Sequence, residues 1–203
     1  MRIVSFGMLL SLSFLTFAEP SIREKIECSS YEAYEQQYMS PQKTYNKETL
    51  GSLTYQHWFV PPPPDFENSG LEPMMNTPHV ALKTPNGWLS GISLGEFGGA
   101  IVHHKTDESF EIVADAIVED IYVMPFGLVV TEGLAHMQSN RGSIILIKVG
   151  ASGFQTEKLH GLPGMPETSW KLPNGNLLIN TYKNGSVVLN KKAEIRLVQC
   201  NES

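Results

Sequence analysis

Reactive residue types are scarce in this sequence. Its 203 residues include two cysteines, Cys28 and Cys200, and neither lies near a second cysteine or a histidine along the chain. A zinc site or a redox pair built on cysteine is therefore disfavoured. The sequence also lacks the short motifs of serine hydrolases, zinc proteases, phosphate-binding loops and calcium-binding loops. We expect no metal and no cofactor.

Clusters of basic residues are missing as well. The chain has 15 Lys and Arg residues against 21 Asp and Glu residues, a formal net charge of -6, and the basic residues form no long run. Nucleic acids and anionic membranes attract proteins through clustered Lys and Arg side chains. We therefore expect no nucleic-acid partner, whereas the charge permits a basic protein partner.

Long apolar runs are absent except for a short stretch at the amino terminus. Arg2 precedes an apolar stretch from Met8 to Phe17, and the small residue Ala18 follows. This order is typical of a secretory signal peptide, here residues 1–18, and the stretch is shorter than the ~20 apolar residues that span a bilayer. We predict a periplasmic or secreted protein with no stable membrane insertion after cleavage. A buried first helix or strand is the alternative.

The two cysteines fit this prediction. Exported proteins fold in oxidising compartments, where two cysteines are seldom both free. We predict a disulfide between Cys28 and Cys200, near the two ends of the mature chain, with two free thiols as the alternative. Closing a loop of this size stabilises a fold by ~4–5 kcal/mol in the chain-entropy model.

The chain after the signal divides into two unlike parts. Residues 19–78 form an N-terminal segment in which Tyr31, Tyr34 and Tyr38 have the spacing of one face of a short helix. A strand pattern and a Pro-rich linker at residues 61–64 follow. Residues 79–203 are rich in β-branched residues and predict a β-repeat domain.

A Pro-x-Gly phrase marks the repeat of this domain. It occurs three times, at residues 85–87, 125–127 and 173–175, with spacings of 40 and 48 residues between the prolines. Each copy is followed by a first apolar strand, a glycine-bearing hairpin and two further strands. The hairpins are predicted at Gly98-Gly99, Asn140-Arg141-Gly142 and Asn184-Gly185.

The third copy, Leu172-Pro173-Asn174-Gly175-Asn176-Leu177-Leu178-Ile179, resembles the turn and innermost strand of β-propeller blades. The resemblance implies an all-β fold of three propeller-like, four-stranded β-meanders. Closed propellers typically have four or more blades. Three arrangements are compatible with three units. In the first, residues 50–60 contribute a degenerate fourth blade; in the second, the units form an open arc; in the third, they curl into a sandwich.

An open arc exposes strand edges and apolar surface, which favours a binding role. We predict an exported, non-enzymatic binding protein, such as a periplasmic inhibitor or immunity-type protein that blocks a partner protein. Its contact surface is predicted on the loops at one end of the units, residues 95–97, 132–139 and 183–184. The residues suited to contact there are Phe97, His136, Met137 and Arg141.

The alternative is a small secreted hydrolase or lyase with its site on the same loops. Glu132 and His136 lie four residues apart in a predicted loop, and Asp107 is the nearest further carboxylate candidate. Such groups can act as acid and base. The neighbours His103 and His104 point to opposite faces of a strand, so they do not predict a metal site.

Overall fold

The computed structural model of the chain describes residues 24–26, 28, 45–57, 75–150 and 153–200. The expected signal peptide, the tyrosine helix and the Pro-rich linker lie outside these residues. The described part of the N-terminal segment holds three short strands and one helix. They are β1 Glu24–Ile26, α1 Lys47–Ser52, β2 Tyr55–Gln56 and β3 Met75–Asn76. Helix α1 begins after Asn46, whose side-chain oxygen accepts a hydrogen bond of 2.8 Å from the Thr49 amide.

Three antiparallel β-meanders follow, and we call them units 1, 2 and 3. Unit 1 contains β4 Val80–Thr84, β5 Gly87–Ser93, β6 Gly99–Lys105 and β7 Phe110–Asp115. Unit 2 contains β8 Val118–Met124, β9 Gly127–His136, β10 Ser139–Gly150 and β11 Gly153–Leu162. Unit 3 contains β12 Pro166–Lys171, β13 Leu177–Thr181, β14 Gly185–Leu189 and β15 Ile195–Cys200. The prediction of an all-β fold with three four-stranded meanders is confirmed.

The Pro-x-Gly phrases occupy equivalent turns, between the first and second strand of every unit. Their glycines Gly87, Gly127 and Gly175 have positive φ angles of 130°, 147° and 81°, which favour glycine. The first strand of each unit was predicted after this turn. That was incomplete, because β4, β8 and β12 precede it.

The predicted hairpin at Asn140-Arg141-Gly142 is wrong. These residues lie inside β10, and the turn is at Met137 and Gln138. Gly142 pairs with Gly133 of β9, and a Cβ at Gly142 would lie 2.4 Å from the Gly164 carbonyl oxygen. Gly142 therefore allows two chain segments to approach closely and does not form a turn.

The hydrophobic core lies between consecutive units. Units 1 and 2 share one buried cluster, which includes Leu89, Ile101, Ile121 and Val130. Units 2 and 3 share a second cluster, which includes Tyr122, Val129, Leu177 and Ile179. Each sheet thus buries residues of both faces, and the three units pack in chain order.

Elements of the N-terminal segment pack on the remaining faces of the end units. Tyr55 of β2 packs with Ile92 and Val102 on unit 1. Strand β1 pairs in parallel with β15 and extends unit 3 to five strands. Among the described residues, β2 pairs only with β3 in a two-stranded ribbon, so residues 55–56 do not form part of a fourth four-stranded sheet.

The predicted disulfide is confirmed, since Cys28 and Cys200 are bonded with their Cα atoms 5.3 Å apart. Both cysteines pack against Trp170, Leu178 and Val198 of unit 3. The bond therefore fixes β1 to the last strand of the chain. A disulfide is compatible with an extracellular or periplasmic protein.

Reduction of this disulfide should destabilise the protein by about 2–4 kcal/mol, because the unfolded chain gains freedom over a separation of 172 residues. Cys28→Ser and Cys200→Ser should lower the melting temperature by similar amounts, measured by circular dichroism. A reduced protein that melts at the temperature of the oxidised one would contradict this.

Substitution of Gly87 should also be costly. A Cβ there would lie 1.9 Å from the His104 carbonyl oxygen, at a φ angle of 130°. Gly87→Ala is therefore expected to lower the free energy of unfolding by about 2–3 kcal/mol in urea titrations. Gly51→Ala in α1 is the control, because nothing lies within 4 Å of its Cβ, and it should be neutral or slightly stabilising.

Candidate functional site

The turns between the second and third strand of every unit lie at one end of the stack, which we call the apical end. They are the 3-10 turn Gly95–Phe97, the turn at Met137 and Gln138, and the turn at residues 182–184. The opposite, basal end carries the Pro-x-Gly turns and the hairpin at residues 106–109. All four residues predicted for partner contact, Phe97, His136, Met137 and Arg141, lie at the apical end.

Side-chain contacts join the apical turns of neighbouring units. His136 Nε2 of unit 2 lies 3.0 Å from Glu96 Oε2 of unit 1. Asn140 of unit 2 donates a hydrogen bond of 2.8 Å to the Tyr182 carbonyl of unit 3, and its side-chain oxygen accepts one of 2.8 Å from the Met165 amide. The three turns are therefore held side by side.

Two large apolar side chains project from these turns. Phe97 is 60% exposed and Met137 is 93% exposed. Met137 has a φ angle of 52°, in the left-handed region that non-glycine residues seldom occupy. An exposed apolar residue held in an unfavourable backbone conformation is a feature of contact surfaces.

A cleft of about 370 Å³ opens between units 1 and 2 at this end. Its walls include glycine backbone and four charged residues, Asp115, Glu132, Arg141 and Lys158. The Glu132 carboxylate accepts a hydrogen bond from the Ser143 hydroxyl. Arg141 forms no ion pair within the described ranges, so its guanidinium can receive an acidic group.

The residues named for the hydrolase or lyase alternative do not come together. Glu132 and His136 lie in β9 and not in a loop, so four residues of extended chain separate them by ~13 Å. Asp107 lies at the basal end, where its Oδ1 accepts hydrogen bonds from the Ser109 hydroxyl (2.6 Å) and amide (3.0 Å). These bonds, the hydroxyl first, hold the pKa of Asp107 below its usual value.

His103 and His104 do point to opposite faces of β6. The His103 ring packs edge to face on Phe154 of unit 2, with 4.7 Å between the centroids. On the other face, His104 Nε2 lies 2.8 Å from the Ser90 hydroxyl. Burial, and secondly the charge of His103, lower the pKa of His104 to about 4.

Asp115 and Lys158 were not predicted from the sequence, and Glu96 was predicted only as part of the loop at residues 95–97. Glu96 contacts His136 across 40 residues of sequence, and Asp115 and Lys158 reach the cleft from the outer strands of two units. Only the packing of the sheets brings these residues together. The signal available in the sequence was the glycine-rich turn at 95–99, which located the loop but not its contacts.

The described residues also bear on metal sites and membrane spans. Across these ranges, His, Cys, Asp and Glu side chains form no group of three that could hold a metal ion. No helix in this part of the chain is long and apolar enough to cross a membrane.

Comparison of the chain with models of protein families, with curated proteins and with solved structures finds no match. Its likeness to blade repeats therefore rests on the four-stranded antiparallel sheets themselves.

Acidification should destabilise the protein through His104. Its folded-state pKa of about 4 lies below the ordinary value of 6.5, so the unfolded chain binds the proton first. The contribution of neutral His104 is full above about pH 6.5 and is lost as the pH falls towards 4. The free energy of unfolding, measured in urea titrations, should drop between pH 7.5 and 4.5, and the drop should be smaller in His104→Gln by on the order of 1 kcal/mol. Equal drops in both proteins would contradict this origin.

Proposed function

We propose that this chain is an exported, non-enzymatic binding protein whose apical end blocks a partner protein, in the manner of a periplasmic inhibitor or immunity-type protein. The observation that carries the proposal is the pair of projecting side chains, Phe97 and Met137, on adjacent apical turns. Aromatic residues, Met and Arg are enriched in protein interfaces, where few residues supply most of the binding energy.

The contact between Glu96 and His136 supports this role because it joins the two turns that carry Phe97 and Met137. A loop already held in its bound conformation loses less entropy on association. The strands beneath the turns are paired along their length up to Ser93, His136 and Ser139. The apical turns therefore have a fixed conformation before a partner binds.

The adjacent cleft adds a charged contact, Arg141, to the apical surface. A guanidinium without an ion pair forms a charge-assisted hydrogen bond with a carboxylate. We infer that an acidic side chain of the partner enters beside Arg141, while Phe97 and Met137 cover apolar surface around it. Glu132 and Asp115 in the same cleft disfavour a densely acidic partner surface, because like charges repel.

Export is part of the proposal. The signal-like residues 1–18 motivate it, and the Cys28–Cys200 disulfide agrees with an oxidising compartment. The hydrolase or lyase alternative has less support, because Glu132, His136 and Asp107 lie apart and Glu132 is engaged by Ser143. An inhibitor needs no catalytic group of its own.

Alanine substitution tests the proposal. A partner would be captured from periplasmic extract with the disulfide-bonded protein, identified, purified and titrated by calorimetry. Phe97→Ala and Arg141→Ala should each raise Kd about 30-fold, which corresponds to ~2 kcal/mol. Met75→Ala is the control, because Met75 is 60% exposed but lies on β3, and it should bind with unchanged affinity.

A hydrolase screen of the same protein gives the opposing outcome. Turnover that disappears in both Glu132→Gln and His136→Ala would replace the binding proposal with the enzymatic one. An unchanged Kd in Phe97→Ala and Arg141→Ala would show that the partner contacts another surface.

A further inference from the structure

A second cleft lies at the basal end, between the same two units and away from the apical turns. Its volume is about 550 Å³, within the range of small-molecule sites. It opens beside the Pro-x-Gly turn of unit 1 and beside Gly150 and Gly153 of unit 2. Its lining residues include Leu82, Thr84, His103, Val123, Leu128 and Phe154.

The strand register determines which side chains of unit 1 form one wall of the cleft. Leu82 pairs with Leu89, and Leu89 pairs with His103, so these side chains share one face of the sheet. The next row of that face runs from Thr84 through Gly87 to Lys105. Gly87 has no side chain, so Thr84 and Lys105 supply the side chains of this row.

The unit 2 wall is apolar and partly open to solvent. Val123 pairs with Leu128, and Val149 pairs with Phe154. Val149 is 75% exposed, although it lines a concave surface. Apolar side chains exposed in a concavity are typical of ligand sites.

Two buried polar atoms on the unit 1 wall lack hydrogen-bond partners. His103 is only 8% exposed, and neither its Nε2 nor the Thr84 Oγ1 has a partner within the part of the chain that the structure describes. A buried polar atom left unpaired costs about 1–3 kcal/mol. Such atoms in a native fold call for an explanation, and a ligand that bonds to them is one.

Thr84 and His103 are far apart along the unit 1 wall. Thr84 and His103 lie two strands and two residues apart, which separates their Cα atoms by roughly 12 Å. A ligand that satisfies both must carry two polar groups with a spacer between them. The apolar wall opposite, with the Phe154 ring, suits a flat apolar spacer.

The charges around the cleft are balanced. Lys105 Nζ lies 3.0 Å from Glu111 Oε2, and the Lys83 ammonium lies 4.7 Å from the centre of the Trp88 ring. The described cations at this cleft thus already have contacts. An ionic ligand would have to compete with them, so the site favours an uncharged one.

We propose that this cleft binds a small, uncharged aromatic diol, a single ring with a hydroxyl group at each end. One hydroxyl bonds to His103 Nε2 and the other to Thr84 Oγ1, and the ring packs between Leu82 and Leu128. The Phe154 ring, which now packs on His103, moves aside when the ligand enters. This site is independent of the apical surface.

A matched series of probes tests the proposal by calorimetry and NMR. Tyrosol carries a phenolic and an alcoholic hydroxyl, 4-ethylphenol has only the phenolic one, and ethylbenzene has neither. Tyrosol should bind most tightly, and each lost hydroxyl should weaken binding about tenfold. The imidazole resonances of His103 should shift on addition of tyrosol.

Two near-isosteric variants locate the contacts. His103→Phe and Thr84→Val should each weaken tyrosol binding about tenfold and leave ethylbenzene binding unchanged. Both should remain folded, because each removes an unpaired buried polar atom. Met75→Ala, on β3 and outside both clefts, is the control and should bind tyrosol normally.

The proposal is overturned if tyrosol does not bind at millimolar concentration. It is equally overturned if tyrosol and ethylbenzene bind with the same affinity, or if His103→Phe and Thr84→Val bind tyrosol as the native protein does. Loss of apical partner capture has no bearing on these outcomes, so failure of the two proposals can be told apart.

Discussion

Packing of one sheet against the next is the interaction on which the rest of this protein depends. Each sheet is apolar on both faces: in unit 1, Leu89 and Ile101 face unit 2, whereas Ile92 and Val102 face Tyr55. A single meander of this kind cannot bury both faces by itself. Unit 2 lies between units 1 and 3, so stacking buries both of its faces. Elements of the N-terminal segment pack on the outer faces of units 1 and 3.

The interface between units 2 and 3 combines apolar and polar contacts. Units 2 and 3 share a buried polar network, in which the Tyr122 hydroxyl oxygen lies 2.7 Å from Asp120 Oδ2 and 2.5 Å from the Ser169 carbonyl oxygen. Burial, with the charges of Asp120 and Glu119, raises the pKa of Tyr122, so the phenol stays a donor. Directional bonds of this kind fix how one sheet sits on the next.

Local features of the chain could be predicted from the sequence, whereas contacts between units could not. Pro-x-Gly specifies a turn because proline and glycine each favour their own backbone angles, and these turns are where the sequence placed them. The phrase Asn140-Arg141-Gly142 has equally good turn residues, yet it lies in β10 because Gly133 and Gly142 pair across the sheet. The candidate site depends on such distant contacts, as between Glu96 and His136.

Both clefts lie between units 1 and 2, at the two edges of the buried cluster that these units share. The middle of this interface is filled by branched side chains, but its apical edge contains Gly98, Gly99 and Gly142, and its basal edge contains Gly150 and Gly153. The buried cluster between the two edges holds the sheets together. A well-packed centre thus separates the two clefts, which share no lining residue.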